Sequence, residues 1–201
     1  MAVRRVIQMG HPLLREVSEP VGGDEFETAE FQRLCDDLLE TMIDYDGVGL
    51  AAPQIAVSKR VVVLELDEEA GPEFLVNPVI EVVGSSTRHT WEGCISVANM
   101  RGRVERPDHI RVFAFDRDGT RKAYELEGYP AVVVQHECDH LDGVLYVDKV
   151  DTRSLSFLPE YRRYGPLLDS DDDESEADDV ELEDYADEDL LDYADPDEEE
   201  I

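Results

Sequence analysis

Apolar positions Phe31, Leu34, Cys35, Leu38, Leu39, Met42 and Ile43 recur at steps of three and four. That spacing places them on one helical face and predicts an amphipathic helix over Thr28–Tyr45, with Asp24 or Thr28 as its cap. Downstream, short apolar runs bounded by polar turns replace that spacing. Strands are predicted over Arg60–Leu66 and Phe74–Val83, and over Ile110–Phe115 and Arg121–Glu127, which flank a turn carrying Asp118-Gly119. Asn77-Pro78 interrupts the second strand and implies an edge or a bulge. A shorter strand is expected at Val3–Gln8 and another at Val144–Val147. Between strands lies Ala131-Val132-Val133-Val134, which suits either a buried strand or a buried helix. Pro130 fits a first helical turn and Gly143 a helix stop, so a helix of about 13 residues is predicted. Valines are poor helix formers, so packing against a sheet must hold it. Antiparallel strands on both sides of this helix give an α+β class, with antiparallel sheets packed around a central helix.

That helix carries the chemistry. Gln135-His136-Glu137-Cys138-Asp139-His140 contains H-E-x-x-H. His136 and His140, four apart, share one face and can aim ring nitrogens at one metal ion. Glu137 lies about 100° round, placed to reach a water rather than to be a ligand. Two imidazoles and an adjacent carboxylate suit metal-assisted hydrolysis. Val132 and Val133, one turn earlier, are candidates to line a pocket beside the metal. A hydrolytic site commonly has three protein ligands and one open position. Of Cys94, Cys138, Asp139, Asp142 and His89, the helical neighbours sit on the wrong face, and Cys94 remains, in a loop after Gly93. Upstream, Gly47-Val48-Gly49-Leu50-Ala51-Ala52-Pro53-Gln54 is a run of small residues that permits close backbone approach and ends in one amide, which can donate to an oxyanion.

Charge divides the chain. Of its 50 acidic residues, 20 lie in 169–201, which has no Lys or Arg; the first 168 residues hold 30 acids against 18 bases, a net of −12. Residues 1–168 are therefore expected to be one catalytic domain and 169–201 an acidic, disordered tail. Within that tail Asp184-Tyr185-Ala186-Asp187 recurs as Asp192-Tyr193-Ala194-Asp195. Neither part favours nucleic acid. Only three of the 18 bases are Lys; an acidic, Lys-poor surface points to a high-salt environment, an expectation that fails if added salt abolishes activity. There is no 18-residue apolar run and no secretory leader, and three cysteines do not make a disulfide framework. These features point to the cytoplasm.

Gly47–Gln54, Glu92-Gly93-Cys94-Ile95-Ser96 and Gln135–Gly143 resemble, in order, the three signature motifs of the peptide deformylases. The resemblance runs from about Val3 to Val150 and leaves out the tail. It implies a mononuclear site of Cys94, His136 and His140 holding one divalent ion, ferrous iron, replaceable by zinc, nickel or cobalt. It further implies Glu137 as proton carrier, with Gln54 and the Ile95 backbone N–H as oxyanion donors. The substrate would be an N-formylated peptide N-terminus, its first side chain cradled by Val48, Gly49, Val132 and Val133, with Arg101 contacting the peptide. Ile95 stands for the family's usual Leu, Ala98 for a common Pro and Cys138 for a Met. The tail disfavours ribosome association. Two other functions fit parts of the sequence: a deformylase of small non-ribosomal N-formyl compounds, and a non-catalytic metal-binding or acidic-tail interaction protein.

Overall fold

The computed structural model describes residues 2–66 and 71–168, with side chains to residue 165. Residues 1–165 form one compact unit; the acidic tail expected over 169–201 lies outside the described residues.

The first helix, α1 (Ala29–Asp44), starts where its periodicity begins, with the Thr28 side chain accepting from the Phe31 N–H. It buries Phe31, Cys35, Leu38, Thr41 and Met42. Ile43, expected on that stripe, is 58% exposed, because it lies at the edge of the face. A five-stranded antiparallel sheet follows in the order β1 (Gly49–Ala51), β2 (Val61–Leu64), β3 (Glu73–Val82), β6 (His109–Phe115), β7 (Arg121–Glu127). The Asn77-Pro78 break is a bulge between Val76 and Val79 within a central strand. Asn77 adopts φ +52° and its amide ties both the N–H and C=O of Val21.

The second sheet is β4 (Thr87–Cys94), β5 (Val97–Pro107) and the short β8 (Ser156–Phe157). On the face of the large sheet opposite α1, and reaching β5 of the second sheet, runs α2 (Tyr129–Leu141), with ten of its 13 residues buried. Its Ala131, Val133, Val134, Cys138 and Leu141 pack on Ala51, Val62, Leu64, Leu75, Ile110, Val112 and Ala114, so tertiary burial offsets the weak helix propensity of the valines. Pro130 sits in the first turn. Gly143 ends it at φ +71°, where a Cβ would stand 2.7 Å from the Arg15 carbonyl carbon; only glycine meets both demands. The last helix, α3 (Leu158–Leu168), holds Tyr161 against Trp91, ring centroids 4.8 Å apart. The α+β architecture with a central helix is as the sequence predicts. No helix among the described residues is long and apolar enough to cross a membrane.

Two expected strands are not strands. Val3–Gln8 is extended but joins no ladder, because its partners are two irregular turns: Ile7 N–H donates to Gln54 O (2.9 Å) and Met9 N–H to Ser96 O (2.7 Å). Val144–Val147 leads into a 3₁₀ turn at Tyr146–Asp148, which Asp148 closes by accepting from the Leu145 N–H.

Candidate metal centre

The centre forms where α2 lies along β4. Two strand residues advance about 6.6 Å and four helix residues about 6 Å. The inward side chains of β4, Glu92 and Cys94, therefore meet His136 and His140 in step. Glu92 Oε2 lies 2.7 Å from His136 Nδ1, and Cys94 Sγ 3.3 Å from His140 Nε2. Cys94 is thus the last residue of a strand, not a loop residue as expected, and that strand's pairing with β5 fixes its aim. One ligand atom from each of Cys94, His136 and His140 lies within 4.8 Å of the others, and all three residues are buried.

A chain of charges holds the His136 ring. Arg106, 1% exposed on β5, grips Glu92 through Nε–Oε1 (2.5 Å) and Nη2–Oε2 (2.9 Å). Its Nη1 donates to Asp139 (2.8 Å), whose other oxygen accepts from Lys149 (2.7 Å). Burial alone would raise the Glu92 carboxyl; the Arg106 and His136 hydrogen bonds outweigh it and hold it at about 2. Anionic Glu92 then fixes Nδ1 as the protonated nitrogen of His136 and leaves Nε2 free to ligate. The ring also stacks on Tyr146, centroids 6.0 Å apart and planes at 25°.

Burial disfavours charge on His136, yet Cys94 and Glu92 outweigh it and raise the ring to about 10. His140, buried and facing His136, is pushed well below its usual value. Burial raises Glu137 to about 7. Its Oε2 is buried and has no hydrogen-bond partner among the described residues. One soft and two imidazole donors converging beside an unpaired carboxylate oxygen fit a divalent cation with a water.

Gln54, 1% exposed in a 3₁₀ turn over Ala52–Ile55, points into this cluster. Its carbonyl accepts from Ala51 N–H (2.8 Å), fixing the amide so that Nε2 faces Cys94 Sγ (3.6 Å) and Ser96 Oγ (3.3 Å). Ile95 occupies the two-residue turn between β4 and β5, and its carbonyl accepts from Gln8 Nε2 (2.9 Å). Gly49 packs against Glu137. Val132 and Val133 are buried, while Val48 is 45% exposed. Arg101 stands on β5 with its guanidinium laid across Gly93 and Nη1 donating to Met100 O. Cys138, Asp139 and Asp142 keep away from the three ligand atoms, as their helical positions predict: Cys138 is in the core and Asp142 pairs with Arg60.

The sequence reading missed Glu92 as the partner of His136 and Arg106 as the partner of Glu92. A signal existed in both. Glu92 is two positions before Cys94, hence on the same strand face, and Arg106 shares the inward parity of Gly102 and Val104.

Comparison with known proteins agrees with this geometry. Residues 3–155 match the family described as polypeptide deformylase. A peptide deformylase of Leptospira biflexa is 44% identical over 179 residues, covering 84% of this chain and all of that protein. One from Maricaulis maris is 44% identical over 151 residues, covering 74% of this chain and 85% of its own length. The crystal structure of the Thermotoga maritima peptide deformylase superposes with a TM-score of 0.70 at 38% identity, covering 75% of this chain and 99% of that one. A Met-Ala-Ser-bound class I type b enzyme from Acinetobacter baumannii gives 0.70 at 33% identity, covering 74% and 99%. The chain belongs to the polypeptide deformylase family, metal-dependent hydrolases that remove the N-formyl group from the N-termini of nascent polypeptides.

Proposed function

We propose that Cys94, His136 and His140 hold one ferrous ion and that Glu137, Gln54 and the Ile95 backbone N–H perform deformylation around it. The observation that carries this reading is the convergence of three buried ligand atoms beside an unpaired Glu137 oxygen. A bound divalent ion supplies Lewis acidity and makes water a nucleophile near neutral pH. Zinc, nickel or cobalt suits the same donor set. Glu137 takes the proton of the attacking water and delivers it to the amine as the C–N bond breaks. Charge developing on the formyl oxygen is met by Gln54 Nε2 and the Ile95 N–H, both already fixed by neighbouring hydrogen bonds. Formate and a free N-terminal amine leave.

The first side chain of the peptide lies against Gly49, Val132 and Val133, with Val48 at the rim, and Arg101 contacts the peptide. Catalysis belongs to residues 1–168. The 20 acidic residues of 169–201 repel ribosomal RNA and weaken any ribosome contact at ordinary ionic strength. Three free cysteines fit a cytoplasmic enzyme. The test is metal analysis of anaerobically purified protein with formate release from formyl-Met-Ala-Ser. Stoichiometric iron and rapid release support the assignment. A metal-loaded sample that releases no formate from this peptide, but does from small formylamines, assigns the site to those compounds instead.

A further inference from the structure

Gly49 opens the short strand β1, paired with Leu64. Its backbone is not in the left-handed region, so conformation does not demand glycine. Space does. A Cβ at Gly49 would stand 2.8 Å from Glu137 Cγ, 2.9 Å from Glu137 Oε1 and 3.0 Å from Leu64 Cδ2. Glu137 cannot easily yield. Its Cγ is the middle of a side chain on the most buried helix of the fold, between two metal-ligand candidates. Glycine in a strand marks the close approach of another group, and here that group is the carboxylate side chain itself.

We infer that Gly49 is a positioning residue for Glu137: the missing side chain is a slot that seats the Cγ and Oε1 of Glu137 and leaves Oε2 turned to the reacting water. This rests on Glu137 being the acid–base group. It assigns the glycine a role through the enzyme's own carboxylate, in addition to any contact of its backbone with the peptide.

A double-mutant cycle on the full-length chain, with one ion per chain verified by metal analysis, tests it. Gly49→Ala should lower kcat by about 10²-fold, the effect of misplacing a reacting group by about 1 Å. It should also lower the melting temperature by on the order of 2–10 °C, as overpacking does. In the Glu137→Ala background, where no Cγ remains to collide, the same Gly49→Ala change should cost less than half that shift. An equal shift in both backgrounds overturns the slot, as does a Gly49→Ala enzyme with unchanged kcat. The melting comparison needs no turnover. If Glu137→Ala itself keeps near-normal activity, the proton-carrier assignment fails whatever the melting data show; if only the melting coupling is absent, the slot fails and that assignment stands.

Discussion

The two sides of α2 are built on opposite principles. Toward the large sheet it presents Ala131, Val134, Cys138 and Leu141 to other apolar side chains. Toward the second sheet it presents His136, His140 and Asp139 to Cys94, Glu92 and Arg106. The first side is held by area, which is non-directional and tolerant of exchange among residues of equal volume. The second is held by paired charges, in which every group depends on its partner. One helix can be both anchor and instrument because the anchoring side needs no geometry finer than close packing.

Four changes sharpen that contrast, from the largest expected effect to the smallest. Glu137→Ala on the reactive side should retain its metal yet lose about 10²–10⁴ in turnover, since general acid–base help is of that size; metal content and formate release measure both halves. Gln54→Ala removes one oxyanion donor and should cost about 10²–10³ in kcat, with metal retained; a loss confined to KM would reassign the amide to substrate binding. Arg106→Ala leaves Glu92 and Asp139 without their shared partner and should cost about 3–5 kcal/mol, read by urea unfolding, with metal affinity falling as the His136 ring loses its support. Leu141→Ala on the apolar side should cost about 2–5 kcal/mol but leave metal stoichiometry intact. If Leu141→Ala released the metal as readily as Arg106→Ala, the two sides would not be independent.

The paired side also has a pH signature. Glu92 is held at about 2 against an ordinary value of 4.5. Its folded-state value is depressed, so its contribution is complete above about 4.5 and fades as pH falls from there toward 2. Urea midpoints of the metal-free protein should fall more steeply over that range for the parent than for Glu92→Gln. Parallel curves would mean that Glu92 is not the titrating partner.

The same division explains what could be read from sequence. The apolar side was legible in two ways: α1 and the strands β2, β3, β6 and β7 as apolar runs, and α2 through the Pro130 and Gly143 that bracket an otherwise ambiguous valine run. The candidate ligand histidines were legible because helical geometry fixes residues four apart. The β4–β5 hairpin was not, because its inward positions hold Glu92 and Arg106, charges that neutralise each other in the folded state but read as polar surface in a linear string. Cys94 was legible as a candidate ligand by elimination, whereas its strand was hidden by the same two charges. Val3–Gln8 misled for the converse reason: its β-like composition serves an extended segment that pairs with turns.

That segment has a practical consequence. Ile7, Gln8 and Met9 fasten in succession to Gln54, Ile95 and Ser96, stitching together two loops some forty positions apart in sequence. Extensions added ahead of Val3 leave this seam whole. Trimming through Met9 would unpick it, loosening the amide and the turn at once while Cys94, His136 and His140 all stay in the chain.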